Sequence, residues 1–164
     1  MALERTIAYL LLGGNLGDIK GNLKLAIQLL EERVGRIVSV SSLYETAAWG
    51  KTDQPAFLNQ AVGLETYLSP IEVLTAALAI EADLGRIRKE KWGERLIDID
   101  LILFGDQVIN IEGKLQVPHP HMQDRNFVLT PLAEIAGHVI HPVWNENIST
   151  LAENTSDKLP VKRL

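Results

Sequence analysis

The stretch "FLNQAVGLETYLSPIEVLTAALAIEADLG", residues 57–85, changes its period part-way along. Up to Tyr67 the apolar side chains alternate, with Leu58, Val62 and Leu64 on one side, as on a half-buried strand. Ser69-Pro70-Ile71-Glu72 then forms a capping box with proline at the first helical position. Leu74, Ala77, Leu78 and Leu84 carry a helical period on to Gly85. Working outward, "KWGERLIDIDLILF" at 91–104 reads as a strand downstream of that helix. Upstream, "RIVSVSSLY" at 36–44 alternates as a strand. Leu23, Ala26, Ile27, Leu30 and Val34 mark a helix with Gly35 as its stop, and "TIAYLLL" at 6–12 is a buried strand ended by Gly13-Gly14. The order β-α-β-β-α-β is the split pattern of a ferredoxin-like sandwich. It predicts an α/β (α+β) fold with a mainly antiparallel sheet and helices on one face. From about Gly105 a C-terminal extension is expected: loops, one more short strand, and a helix begun by Thr130-Pro131. No repeat, low-complexity segment or linker interrupts the 164 residues, which read as a single domain.

Composition narrows the function classes. The chain has no cysteine, which removes disulfides and thiolate zinc sites and suits a reducing cytoplasm. Its apolar runs are too short to span a bilayer. The start, "MALERTIAYLLLGGN", carries an acidic residue and only a short apolar run, a poor match to a signal peptide. A net charge of −5 argues against a general nucleic-acid binder. Positive charge is gathered locally, however: Arg86, Arg88, Lys89, Lys91 and Arg95 are opposed only by Glu90 and Glu94.

That cluster runs directly into the two aspartates. On a strand, Asp98 and Asp100 share a face, roughly 6.6–6.8 Å apart, while Ile97, Ile99 and Leu101 turn to the other. An isolated Asp-x-Asp is as often an ordinary acidic strand face as a site. Here the segment becomes wholly apolar from Leu101 to Phe104, so the pair stands at the edge of covered structure and needs a countercharge. Mg²⁺ fits, being a hard cation that takes one or two carboxylates and fills its shell with water and phosphate oxygens. Two such ions can clamp a phosphoryl group, with arginines holding the remaining oxygens. These residues therefore point to a metal-dependent enzyme of nucleotide phosphates. It has no P-loop, and "GGNLGD" at 13–18 reads as a strand-to-helix turn. His119-Pro120-His121 lacks a third ligand for zinc, and His138 and His141 read as structural or surface residues.

Five segments, in order, resemble one family. They are "LLLGGNLGD", "SSLYETAAWGKTDQPAFLNQAV", "IEADLGRIR", "KWGERLIDIDLILFG" and "VPHPHMQDRNFVLTPLAEIA". The chain is similar along nearly its whole length to the 6-hydroxymethyl-7,8-dihydropterin pyrophosphokinases of folate biosynthesis. The resemblance implies transfer of the terminal diphosphate of ATP to the hydroxymethyl group of the dihydropterin, releasing AMP. ATP would be the co-substrate, with two Mg²⁺ ions held by Asp98 and Asp100. It implies that Arg86 and Arg88 act in catalysis from a mobile loop that also carries Trp92. Arg95, His119 and Arg125 would contact the triphosphate, Glu81 would lie near the ribose and Leu101 would offer backbone atoms to the adenine, with Gln116 also binding the nucleotide. The pterin would stack between Phe57 and Phe127, with Thr46 and Asn59 reading its edge, Ala48 and Trp49 beside it, and Asp98 near its hydroxyl.

Departures from the family pattern are Ala47 and Ala48 in place of prolines, Leu78 for Gln, Gln116 for Thr and His121 for Arg. The expected protein is a cytoplasmic monomer acting on small molecules, without nucleic acid or membrane. Two alternatives stay open. One is a two-metal nucleotidyltransferase, although its Gly-Ser turn is missing before the aspartates. The other is a non-catalytic ferredoxin-like ligand-binding module, which would not need the aspartates and arginines together.

Overall fold

The computed structural model describes residues 4–46, 55–85 and 96–164. Strand β1 (Thr6–Gly14) leads to helix α1 (Ile19–Arg33), then to β2 (Gly35–Val40), β3 (Tyr44–Thr46) and β4 (Phe57–Thr66). Helix α2 (Pro70–Asp83) and β5 (Asp98–Phe104) follow. The principal sheet runs β5-β1-β4-β3, and β2 also pairs with β4. Every one of these pairings is antiparallel. Taking β2 and β3 as two lengths of one strand, this is the ferredoxin-like order that the sequence pattern predicts.

Local chemistry explains the elements. Ser69 Oγ accepts from Glu72 N at 3.2 Å while Glu72 Oε1 accepts from Ser69 N at 2.9 Å, closing the capping box of α2. Gly85 ends that helix with φ +82°, a conformation that favours glycine. Gly35 behaves differently from the expected helix stop. It opens β2, lying so close to β4 that a side chain would strike the Glu65 carbonyl.

Three further expectations are corrected. The strand expected over 36–44 is divided: between Val40↔Val62 and Tyr44↔Asn59 the outer strand carries one extra residue. At that break the Ser42 N–H leaves the ladder and donates to the Glu134 carboxylate, 3.0 Å from each oxygen. The extension is also richer than expected. It holds a hairpin of β6 (Ile109–Ile111) and β7 (Leu115–Val117), helices α3 (Asn126–Ala136) and α4 (Ile148–Asn154), and β8 (Val161–Arg163), which adds to the main sheet beside β3. Helix α3 begins well before Thr130, whose hydroxyl turns back to Asn126 Oδ1 at 2.7 Å, and Pro131 lies inside it, buried.

Helices also cover both faces, not one. Ala8, Leu10 and Leu12 of β1 pack with Leu23, Ala26 and Leu30 of α1 and Val73, Ala77 and Ile80 of α2. On the other face Leu11, Ala61, Ile102 and Leu103 pack with Val128, Leu129 and Leu132 of α3 and Ile148 of α4. The cause is in β1 and β5, which are apolar on both sides; such strands must be covered twice. Ile102 and Leu103 share a face because the β1–β5 register slips by one residue between Tyr9 and Leu10.

Candidate active site

The aspartates lie where the alternation puts them. Ile97, Ile99 and Leu101 are buried, Asp98 is half-buried and Asp100 is exposed. The register then carries their face across the sheet. Asp98 is opposite Gly13, Gly13 opposite Asn59, and Asn59 opposite Tyr44. One row nearer the core runs Asp100, Leu11 and Ala61; one row farther out, Phe57 faces Thr46. Residues directly opposite one another in an antiparallel sheet share a face. Thr46, Phe57, Asn59, Asp98 and Asp100 therefore lie on the α3 side of the sheet, where the partly buried Phe127 packs.

Gly13 is the hinge of this row. A side chain there would run into Asn59 Oδ1, so Asn59 lies over the space that glycine leaves. The turn that follows helps as well: Asn15, buried, donates through Nδ2 to Pro55 O at 3.1 Å, tying the end of β1 to the approach of β4. Asp18 caps α1 through Gly21 N at 3.2 Å. Thus "GGNLGD" is a turn, as expected, but its first glycine also belongs to the site. The sign missed in the sequence is a glycine inside the strand rather than after it.

Polar groups on this face are poised for a ligand. Thr46 Oγ1 is buried with no hydrogen-bond partner among the described residues, a costly state that a polar ligand atom relieves. The Arg125 guanidinium lies 6.0 Å from the Phe127 ring centre.

Around the edge of β5 opens a second space, a cleft of about 320 Å³. Leu74 of α2, Ile99, Asp100 and Leu101 of β5, the hairpin residues Asn110, Lys114 and Gln116, and His119 line it. β5 is an edge strand, so alternate residues turn their backbone groups outward. Ile99 N does so and donates to Glu81 Oε2 at 2.6 Å. Leu101, two residues on, presents its backbone to the same side, inside the cleft. Glu81 is itself 5% exposed, and its carboxylate holds the backbone between the two aspartates. Leu78 is exposed on α2.

His119 is anchored by its N–H to Ile102 O at 3.0 Å. Burial first, then the Arg125 and His121 charges, push its imidazole down to about 4. It is neutral at pH 7 and serves as a hydrogen-bonding group beside the Arg125 charge. Asn110 and Lys114 had no signal in the sequence, because the hairpin that carries them is only three residues a side.

Arg86, Arg88, Trp92, Arg95, Ala48 and Trp49 lie outside the described residues. Among the described residues no group of three or more His, Asp or Glu side chains is gathered so as to hold a metal ion. Two carboxylates on one strand face, beside a polar cleft, nevertheless suit a hard cation that keeps water and phosphate oxygens as its other ligands.

The family model described as 7,8-dihydro-6-hydroxymethylpterin-pyrophosphokinase matches residues 9–137, most of the chain. The chain belongs to this family. Among curated relatives it is 46% identical over 134 residues to the Bacillus subtilis 2-amino-4-hydroxy-6-hydroxymethyldihydropteridine pyrophosphokinase, covering 81% of this chain and 80% of that one. It is 41% identical over 148 residues to the Aquifex aeolicus protein of the same name, covering 90% and 91%. Among solved structures, wild-type Plasmodium falciparum HPPK-DHPS with pteroate superposes with a TM-score of 0.74 over 92% of this chain at 19% identity. The match spans 42% of that longer chain, and at this identity it speaks for the fold alone. No helix among the described residues is long and apolar enough to cross a membrane.

Proposed function

We propose that the chain is an ATP-dependent diphosphotransferase that moves the terminal diphosphate of ATP to the hydroxymethyl group of 6-hydroxymethyl-7,8-dihydropterin, leaving AMP. The observation that carries this reading is the row Asp98–Gly13–Asn59. It sets a carboxylate and a ring-reading amide on one face, two strands apart, roughly 9–10 Å. Beside it Asp100 belongs both to that face and to the cleft at the strand edge. An acceptor pocket and a nucleotide cleft thus meet at the two carboxylates.

In this reading the pterin ring stacks between Phe57 and Phe127, while Asn59 and Thr46 Oγ1 bond its edge. The adenine enters the cleft, where the outward backbone of Leu101 and the side chain of Gln116 meet it. His119, Arg125 and Lys114 lie along the path of the triphosphate. Arg86, Arg88 and Arg95 add charge to the phosphates, with Trp92 on the same segment, and Ala48 and Trp49 flank the pterin. Asp98 and Asp100 would hold two Mg²⁺ ions, which supply charge neutralisation of the phosphates and a lowered hydroxyl pKa. The residues of the chain bind, orient and exclude water, which is most of what phosphoryl transfer asks of a protein. Glu81 keeps β5 straight between the aspartates. The same reading takes residues 1–164 as one pyrophosphokinase domain that works as a cytoplasmic monomer.

Asp98→Ala and Asp100→Ala test the reading. Each should lower turnover by about 10²–10³-fold or more, with circular dichroism and thermal melting showing an intact fold. Near-normal turnover by either variant at saturating Mg²⁺ removes that residue from the proposed metal site.

A further inference from the structure

The family match ends at residue 137, yet the chain beyond it returns to both walls of the acceptor pocket. After α4 the backbone passes the start of α3. There Asp157 accepts the Asn126 N–H through Oδ2 at 2.8 Å and the Leu159 N–H through Oδ1 at 2.9 Å. Thr155 Oγ1 donates to Gln123 O at 3.1 Å. The residue preceding α3, Arg125, makes no side-chain cap of its own. A carboxylate 31 residues downstream therefore caps this helix, and an anion there is favoured by the helix dipole. The next residue of the helix is Phe127.

Farther on, β8 pairs with β3: Tyr44↔Arg163, Glu45↔Lys162 and Thr46↔Val161. Leu164 N extends the ladder to Leu43 O at 2.9 Å. β3 has only three residues, and it carries Thr46 with β4 on one side and β8 on the other. Without β8 it would be a short edge strand next to a break in the ladder.

We infer that residues 155–164 position the acceptor pocket: Asp157 sets Phe127 through the first turn of α3, and β8 sets Thr46 through β3. The inference rests on reading Thr46, Phe57, Asn59 and Phe127 as the pterin pocket. No residue of this segment lines the nucleotide cleft. A purely structural role would weaken both ligands together; a positioning role separates them.

The test uses the full chain as wild type, Asp157→Ala, Asp157→Asn and Lys162→Pro. Each is titrated calorimetrically with α,β-methylene ATP and Mg²⁺, then with 6-hydroxymethyl-7,8-dihydropterin in the presence of that analogue. Asp157→Ala should keep nucleotide affinity within about twofold and weaken pterin about tenfold. Asp157→Asn should fall between, since the amide retains one of the two acceptor oxygens. Ladder alternation makes Glu45 and Lys162 the next hydrogen-bonded pair after Leu43 and Leu164. Lys162→Pro removes that donor and should show the same selectivity, which keeps the test valid should Asp157→Ala not fold. Pterin binding equal to wild type in the folded variants, or equal loss of both ligands, overturns the inference. Wild type that binds nucleotide but no pterin overturns instead the reading of the pocket on which the inference rests.

Discussion

Asn59 needs a glycine beside it. Its amide occupies the volume that any side chain at position 13 would claim, and Gly13 also separates it from Asp98 in the row across the sheet. Gly13→Ala should therefore swing the amide away from the acceptor pocket without touching the cleft at the edge of β5. The expected result is a pterin KM raised about tenfold, the loss of one well-placed hydrogen bond with some strain, and an unchanged KM for ATP. Equal rises in both would mean that Gly13 serves the fold rather than Asn59. At this scale the sequence shows the side chains well. Asp98, Asp100, Phe57 and Asn59 fall on the expected face because a strand leaves them no other choice. It shows Gly13 poorly, because its part depends on which strand lies opposite. Glu81 is the instructive case. A buried carboxylate on a helix has no marker in the sequence for the backbone N–H it will meet.

Glu134 shows how one helix sets the path of a strand. It accepts from Ser42 N, from Ser42 Oγ at 3.2 Å and from Tyr44 Oη at 2.7 Å, and Arg163 lies 4.0 Å away. Burial, then the bond to Glu134 and its charge, raise the Tyr44 phenol to about 12. A phenol whose pKa is higher folded than unfolded stabilises fully below the unfolded value, near 10. That contribution is lost as pH climbs from 10 to about 12, because the unfolded chain sheds its proton first. Denaturant midpoints should thus decline over this window in the wild type and less steeply in Tyr44→Phe. Parallel profiles would place the alkaline loss elsewhere. The elements around this contact also show what local pattern reveals. α2 is plain in the sequence because its capping box and glycine stop are local signals. α3 is not, since its cap is Asp157 and its interior holds Pro131. The break between β2 and β3 is invisible for the same reason: the group that makes it, Glu134, is 92 residues away.

Across the whole molecule, β1 and β5 are apolar on both faces and lead to two cores, and the candidate site lies beside the second of them. α1 and α2 pack on one face. α3 and α4 pack on the other against Leu11, Ala61, Ile102 and Leu103, and along that face Asn59 is buried, Phe57 and Asp98 are half-buried and Asp100 is exposed. The six-element order of the sandwich is legible because each element keeps one period along its length. The second helical layer is not, because its anchors come from the far end of the chain. In the proposed reading, the acceptor reaches the two carboxylates along this face and the nucleotide reaches them from the cleft at the edge of β5, which Asp100 lines.

The central claim is that the acceptor hydroxyl is aimed at the β-phosphorus of ATP. Incubating the protein with ATP, Mg²⁺ and 6-hydroxymethyl-7,8-dihydropterin and separating the products by anion exchange tests it directly. The account predicts AMP and the pterin diphosphate in equal amounts, dependent on Mg²⁺ and abolished by EDTA. ADP as the pterin-dependent product would mean attack at the γ-phosphorus, pyrophosphate would mean attack at the α-phosphorus, and untouched ATP would mean a binding module; any of these contradicts it.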